Sequence, residues 1–317
     1  MPADLLTFAV SLAVLLVAAR AFTVAAERIG LALGMSPFAI GVLIVSAGTS
    51  LPEMVSSVVA VTRGTSEIVV GNVLGANLSN LMLVMGTVAI CAPRQVRLGE
   101  QYILIDLHFL LGSAFLLGLS LRDGMLVRLE GAFLMAGYAA YLLYLMREGR
   151  TSKDLLMGVE AGEHGPRQPF PTSQLAVVAA TAAVIYLGAR FTVSSLESLA
   201  ERLGVAPAII AVTVLSVGTT LPELVVSATA ARAGKADVAV GNILGSCIFN
   251  ALGVAGVASL VGRVTAPPDL LALPLPVYAA GALLFYLLTL DKRVSRWEGI
   301  LFLLLYGLFI MEIARLV

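Results

Sequence analysis

Two stretches of the chain are copies of each other, and each carries an acidic residue inside an apolar segment. Residues 37–86 read PFAIGVLIVSAGTSLPEMVSSVVAVTRGTSEIVVGNVLGANLSNLMLVMG, and residues 207–256 read PAIIAVTVLSVGTTLPELVVSATAARAGKADVAVGNILGSCIFNALGVAG. They are identical at 21 of 50 positions, against roughly one in ten for unrelated segments of this composition. The matched positions are mostly polar, glycine or proline, which favours a shared functional site over a duplication that serves packing alone.

The composition places the chain in a membrane. Of its 317 residues, 59% are apolar and 13% are charged, whereas a soluble domain has about 45–50% apolar and about 25% charged residues. A core cannot hide all of this excess, because part of it must then cover the surface. The formal net charge of zero gives no general attraction for nucleic acid, and two cysteines are too few for a disulfide or zinc framework.

A membrane helix needs about 20 mostly apolar residues, and ten windows of the sequence qualify. They lie at roughly 5–26, 37–62, 69–92, 102–121, 127–146, 173–199, 207–232, 238–261, 271–290 and 297–316. We therefore predict an all-α integral membrane protein with ten transmembrane helices.

The repeat divides the chain into two halves of five spans. Residues 147–172 form the longest polar segment, and we interpret them as a linker between an N-terminal repeat at 1–146 and a C-terminal repeat at 173–317. A second pairing links DGMLVRLEG at 123–131 to DKRVSRWEG at 291–299. Because five is odd, the second half enters the membrane in the opposite sense, and inverted repeats are typical of alternating-access transporters.

The distribution of Lys and Arg predicts the orientation. With the N-terminus outside, twelve basic residues fall on the inner side and six on the outer side, as the positive-inside rule requires. We therefore expect a multi-pass protein of the cell (plasma or inner) membrane with both termini outside and the linker in the cytoplasm.

Two glutamates sit in mid-span at matching positions of the repeat. Glu53 ends the motif GTSLPE at 48–53, and Glu223 ends GTTLPE at 218–223. A carboxylate at the bilayer centre costs at least about 2.5–3.5 kcal/mol, so it normally faces a cavity or a partner. Since no Lys or Arg lies within one helical turn of either residue, a bound cation or a proton is the natural partner.

The residues before each glutamate supply further oxygen atoms. A proline precedes each glutamate and frees an upstream backbone carbonyl, and hydroxyl groups lie one turn earlier, at Thr49, Ser50, Thr219 and Thr220. Carboxylate, hydroxyl and carbonyl oxygens together make a site for a hard cation. A single kink with hydroxyls bonded to their own helix would be a simpler explanation, but two copies with an intramembrane glutamate favour the ion site.

The next span of each half adds amide groups. GNVLGANLSN at 71–80 and GNILGSCIFN at 241–250 each end in an asparagine, and we place Asn80 and Asn250 beside the glutamates. Ser246, one turn before Asn250, is a further candidate. The first asparagine of each motif is also explained by hydrogen bonds between helices, and its glycines allow close helix approach.

These duplicated motifs resemble the alpha repeats of the sodium/calcium exchanger family, within the cation/calcium antiporter superfamily. The absence of large cytosolic calcium-sensor domains is similar to the compact prokaryotic members. The resemblance implies that Glu53 and Glu223 coordinate the transported ion, together with the hydroxyl residues before them and with Asn80, Asn250 and Ser246. It also implies backbone carbonyl ligands at Ser46 and Ser216.

Two departures from the family pattern affect the ion stoichiometry. Many members have an acidic residue where Asn250 stands and a serine where Ala76 stands. With two carboxylates the site carries a charge of at most −2, which matches one calcium ion, two sodium ions or two protons. A third sodium ion would have to bind largely to neutral oxygens.

The resemblance implies a secondary active antiporter that exchanges Na⁺ for Ca²⁺ by alternating access. Proton/calcium antiport, or antiport of another divalent cation, remains the alternative, and a cation channel could use the same oxygens. We expect no enzyme, because Ser50 has no histidine at a matching depth. We expect no cofactor, no partners except the transported cations and the lipid, and function as a monomer.

Overall fold

The computed structural model describes residues 2–98, 107–156, 171–202, 218 and 220–316, and these are almost entirely helical. The helices, in chain order, are α1 Pro2–Ala32, α2 Pro37–Ile40, α3 Ser46–Thr62, α4 Glu67–Leu78, α5 Met85–Cys91, α6 Leu107–Ser120, α7 Arg128–Leu156, α8 Thr172–Arg202, α9 Leu221–Arg232, α10 Ala236–Ile248, α11 Ala255–Val261, α12 Pro268–Ala272, α13 Pro274–Thr289 and α14 Arg296–Leu316.

In the part of the chain that the structure describes, three π-helical segments join consecutive α-helices into longer rods. They are π1 Gly41–Val45, π2 Ser79–Val84 and π3 Phe249–Val254. The last two occupy repeat-equivalent positions, and each contains the asparagine that ends the motif. Because a π segment shifts the i→i−4 bonding by one residue, it loosens the backbone and is often found at functional sites.

Seven helical stretches in the described residues are long and apolar enough to cross a membrane. They are Asp4–Ala32, Pro37–Thr62, Glu67–Cys91, Thr172–Thr192, Ala236–Val261, Pro268–Thr289 and Arg296–Arg315. Of the other predicted spans, 127–146 falls within α7 except for its first residue, whereas 102–121 and 207–232 lie partly outside the described residues. The chain is thus an all-helical membrane protein, and the count of ten spans stays a prediction.

The centre of the molecule is formed by the helices that carry the duplicated motifs. In the span Ala236–Val261, 89% of the apolar window is buried inside the protein, against 17% in Arg296–Arg315. Apolar side chains on α14 such as Leu304 stay exposed, as expected for a helix whose solvent is lipid. Helices α1 and α8 run along each other at the side of this centre.

Glycines set the spacing of the central helices. At Gly241, on α10, an added Cβ would lie only 2.4 Å from the carbonyl oxygen of Phe38, and at Gly41 it would lie 2.3 Å from that of Val238. The two backbones therefore touch where these glycines meet, as the small residues of the second motif predict. This close approach brings α3 and α10 within side-chain reach of each other.

Two short antiparallel strand pairs join loops at the ends of the helices. The strands are β1 Val96–Arg97, β2 Met125–Leu126, β3 Val264–Thr265 and β4 Arg293–Val294. β1 pairs with β4, and β2 pairs with β3. Each pair links a loop of the N-terminal half to a loop of the C-terminal half.

Candidate ion-binding site

The two predicted glutamates are both buried at the centre of the helix bundle. Glu53 is 3% exposed and Glu223 is 1% exposed. Glu53 lies in the middle of α3, one residue after Pro52, which stands inside this continuous helix. Glu223 lies in the first turn of α9, directly after Pro222. The helices that carry them contact each other, although the two glutamates are 170 residues apart in the chain.

A hydroxyl group connects the two halves at this point. Ser50 Oγ lies 3.0 Å from Glu223 Oε1 and 3.0 Å from Ser246 Oγ. The serine thus donates a hydrogen bond to the carboxylate of the other half. All three residues were predicted as ion ligands, and the structure brings them together.

Thr49, one residue before Ser50, contacts α10, the helix that also carries Ser246. The contact is made through the side-chain amide of Asn242. Its hydroxyl lies 3.2 Å from Asn242 Oδ1, and Asn242 Nδ2 donates to Ser227 Oγ at 2.8 Å. Asn242 therefore bridges α3 and α9. This agrees with the interpretation of the first asparagine of the motif as a link between helices.

Several buried oxygen atoms at the centre have no hydrogen-bond partner within the described part of the chain. Those that belong to predicted ligands are Glu53 Oε2, Glu223 Oε2, Asn80 Oδ1 and Asn250 Oδ1. A buried polar group without a partner costs about 1–3 kcal/mol, and more if it is charged. Four such oxygens at the centre of one bundle are therefore the strongest indication of a bound cation.

The segment that carries each asparagine packs against the helix that carries the glutamate of the other half. Segment π2, with Asn80, packs against α9, which carries Glu223. Segment π3, with Asn250, packs against α3, which carries Glu53. The donor set is therefore built across the two halves rather than within either one.

The remaining predicted ligands are only partly described. Ser46 is buried, and its hydroxyl donates to the carbonyl of Val42, while its own carbonyl lies 3.3 Å from Thr49 Oγ1. Thr220 is buried and precedes α9 directly. Ser216 and Thr219 lie outside the described residues.

The donor chemistry fits a hard cation and not a soft one. Among the described residues, no group of three or more His, Cys, Asp or Glu side chains is placed to hold a metal ion. The centre offers two carboxylates, with hydroxyl and amide oxygens around them, and Ca²⁺ and Na⁺ both accept mixed oxygen ligands. These two carboxylates are the glutamates that the sequence predicts at the site.

Asn242 was not among the predicted ion ligands, and the π segments were not predicted from the sequence. The signal for Asn242 was present, since the GN pair begins both motifs. The π segments leave no pattern of their own, because a single-residue shift in hydrogen bonding needs no particular residue type.

Comparison with known proteins identifies the family of this chain. The sodium/calcium exchanger protein family matches residues 4–147 and 173–313. The putative antiporter CaxA of Alkalimonas amylolytica is 33% identical over 307 residues, which is 94% of this chain and 94% of that protein. The sodium/calcium exchanger MaX1 of Methanosarcina acetivorans is 28% identical and covers 92% of each chain.

A solved structure of the sodium–calcium exchanger NCX_Mj, soaked with Na⁺ and Sr²⁺, matches with a TM-score of 0.81 and 27% identity over 97% of each chain. The fold and the site thus define a membrane protein of the cation-transporting class. The chain belongs to the sodium/calcium exchanger family, a family of membrane antiporters. CaxA and MaX1 are described as a putative antiporter and an exchanger, in line with the expectation of a transporter and not an enzyme.

Proposed function

We propose that this protein exchanges Na⁺ for Ca²⁺ across the membrane by alternating access. The proposal rests on four buried oxygens that have no hydrogen-bond partner among the described residues, Glu53 Oε2, Glu223 Oε2, Asn80 Oδ1 and Asn250 Oδ1. One calcium ion between the glutamates would neutralise the site charge of −2. Sodium ions would occupy overlapping positions, so the two cations compete.

The proposed ligands are the full predicted set. They are Glu53, Glu223, Asn80, Asn250, Thr49, Ser50, Thr219, Thr220, Ser246 and the backbone carbonyls of Ser46 and Ser216. The contacts of Ser50 with Glu223 and Ser246 support this set, because they hold three of its members around one point.

The proposed architecture is ten spans in two inverted repeats, 1–146 and 173–317, with 147–172 as a cytoplasmic linker and both termini outside. Support comes from the matched positions of π2 and π3 and from the strand pairs between the two halves. In this arrangement, α1 and α8 would slide as a unit against the central helices. Their long mutual contact supports such a unit.

The cost of burying two carboxylates without a cation would favour ion exchange over uncoupled ion leak. Two carboxylates with exposed fractions of 3% and 1% are costly without a cation. The protein would therefore change conformation with an ion or a proton bound, and seldom when it is empty. Binding of one ion species would thereby be coupled to return of the other.

Proton/calcium antiport is the second candidate, because the same two buried carboxylates could each carry a proton on the return step. Calcium uptake into vesicles, first under an imposed sodium gradient and then under a pH gradient alone, separates the two. Uptake driven by sodium at constant pH supports the proposal. Uptake that follows only the pH gradient selects the second candidate, and uptake without either gradient would indicate a channel.

A further inference from the structure

The two strand pairs at the helix ends have the same backbone but different side chains. In the β2–β3 pair, Met125 stands opposite Thr265 and Leu126 opposite Val264. In the β1–β4 pair, Arg97 stands opposite Arg293 and Val96 opposite Val294. We call the first the apolar strand pair and the second the arginine strand pair.

The turns that precede the two strand pairs contain the same backbone-to-side-chain hydrogen bonds. The backbone N–H of Met125 donates to Asp123 Oδ1 at 3.2 Å, and that of Arg293 donates to Asp291 Oδ1 at 3.1 Å. In both cases the first turn of the next helix contains a glutamate that accepts a backbone hydrogen bond. Glu130 accepts from the N–H of Val127, and Glu298 accepts from the N–H of Ser295. This is the pairing of 123–131 with 291–299 that the sequence shows, and it provides a comparison within one molecule.

Four equivalent positions differ in the same direction. Gly124, Met125, Leu129 and Thr265 of the apolar pair are replaced by Lys292, Arg293, Trp297 and Arg97. Three replacements add a positive charge, and the fourth adds the sole tryptophan of the chain. Since the apolar pair forms without them, strand pairing does not require these residues.

Three of the replacements work against the local structure. Arg97 and Arg293 are exposed and stand directly opposite each other, and like charges at such positions are destabilising. Lys292 has a φ of 62°, in the left-handed region where its counterpart Gly124 has 82°, and a side chain is disfavoured there. A general excess of basic residues on one side of the membrane does not explain why two arginines face each other.

Charge is concentrated at this end of the bundle. Loop segments 92–98 and 289–298 hold five basic and two acidic residues, whereas 120–130 and 262–267 hold three basic and two acidic residues. Among the described residues, no ion pair joins Arg97 or Arg293 to a carboxylate. Both arginines are exposed and stand opposite each other, as the recognition of an external anion requires.

The position of the pair selects a lipid as the source of that anion. The strands follow the ends of α5 at Cys91 and α13 at Thr289, and they precede α14 at Arg296. Trp297, in the first turn of α14, is 81% exposed, and tryptophans on membrane proteins concentrate at the level of the lipid headgroups. We propose that Arg97 and Arg293 bind the phosphate headgroup of an anionic phospholipid, with Trp297 against its glycerol and upper acyl region.

The chemistry of the residues fits this ligand. A guanidinium group presents paired N–H donors to phosphate oxygens, so two facing arginines can hold one phosphate between them. In the proposed orientation this end faces the cytoplasm, where anionic lipids are concentrated. The inference does not depend on which ions are transported.

The sole tryptophan allows a direct test on the full-length protein in vesicles. Bromine atoms on lipid acyl chains quench tryptophan fluorescence at short range, so Trp297 reports which lipid lies beside it. Brominated phosphatidylglycerol is compared with brominated phosphatidylcholine at equal mole fraction. We expect phosphatidylglycerol to be enriched about fivefold for each arginine that it contacts.

The variant R97T/R293M carries the residues of the apolar strand pair, and it should quench equally with both lipids. A matched control, R122T/R263M, removes two exposed arginines at the other end of α6 and should keep the preference. Quenching by brominated phosphatidylcholine in each variant verifies insertion. Equal quenching in the unchanged protein, or an unchanged preference in R97T/R293M, would overturn the proposal.

A second experiment distinguishes a soluble anion from a lipid headgroup as the ligand of the arginines. Inorganic phosphate is added to the aqueous phase and compared with chloride at the same ionic strength, so that screening is equal. Headgroup binding predicts the same residual preference in both salts. Loss of the preference in phosphate alone would identify a site for soluble anions and contradict a lipid site.

Discussion

The substitution Glu223→Gln tests the ion site most directly. It keeps the shape of the side chain and removes one of two negative charges. The site charge becomes −1, and a bound calcium ion would leave a net charge of +1 where Glu53 and Glu223 are at most 3% exposed. Ser50, 3.0 Å from Glu223 Oε1, would still find an acceptor in the amide oxygen.

The expected loss can be estimated from this geometry. Removing one partner from a buried ion pair costs about 3–5 kcal/mol, which corresponds to a loss of calcium affinity of roughly 100- to 4000-fold. The empty protein should keep its fold, because the change relieves repulsion between two carboxylates and creates no cavity.

Radioactive calcium uptake into sodium-loaded vesicles measures transport, and the calcium-dependent rise in unfolding temperature measures binding. For Glu223→Gln we expect no uptake above background and no calcium-dependent rise, with a normal unfolding temperature in the absence of calcium. Since a ligand stabilises only the state that it binds, the second measurement separates lost affinity from lost transport.

The matched control is Glu67→Gln, the same change at an exposed position at the start of α4. It should leave uptake and stabilisation unchanged. Uptake by Glu223→Gln at the rate of the unchanged protein would refute the assignment of this carboxylate as an ion ligand. If calcium still raised the unfolding temperature while uptake was lost, Glu223 would serve the conformational change instead of binding.

Three further changes follow from the same site. Ser50→Ala removes the hydroxyl that bonds a carboxylate at 3.0 Å and should weaken calcium binding about tenfold, and unchanged binding would exclude the serine as a ligand. Asn250→Asp raises the site charge to −3 and should alter the sodium dependence of calcium uptake more than the unfolding temperature, and an unchanged sodium dependence would count against Asn250 as a ligand. Gly241→Ala places a Cβ 2.4 Å from Phe38 O and should destabilise the protein by about 1–3 kcal/mol, measured as a lower unfolding temperature. Gly307→Ala is its control, since a Cβ there meets no described atom within 4 Å, and equal destabilisation by both would contradict the close approach.

Much of the candidate site was predictable because membrane insertion imposes a simple rule. A carboxylate in mid-span is costly, so Glu53 and Glu223 stood out among the twenty acidic residues of a neutral chain. The duplication then singled out the same hydroxyl and amide positions twice. These are local properties of sequence, and lipid as the solvent makes them decisive.

The contacts between the halves could not be derived in this way. That Ser50 bonds Glu223, 173 residues away, depends on how α3 and α9 are rotated about their axes. That Asn242 bridges Thr49 and Ser227 depends on the glycine contact that sets the distance between α3 and α10. Hydropathy fixes which segments are helices but carries little information on the rotation of a helix whose neighbours are also apolar.

The sequence by itself therefore determined the solvent of this protein, its helical class, its duplication and the residues that carry charge into the membrane. The tertiary structure decided which of these residues meet and which oxygen atoms remain without partners. It also showed that Arg97 and Arg293, 196 residues apart, face each other across two strands. The physical reason for this difference is that transfer into lipid acts on each residue separately. Coordination of an ion or a headgroup instead requires several groups at one point in space.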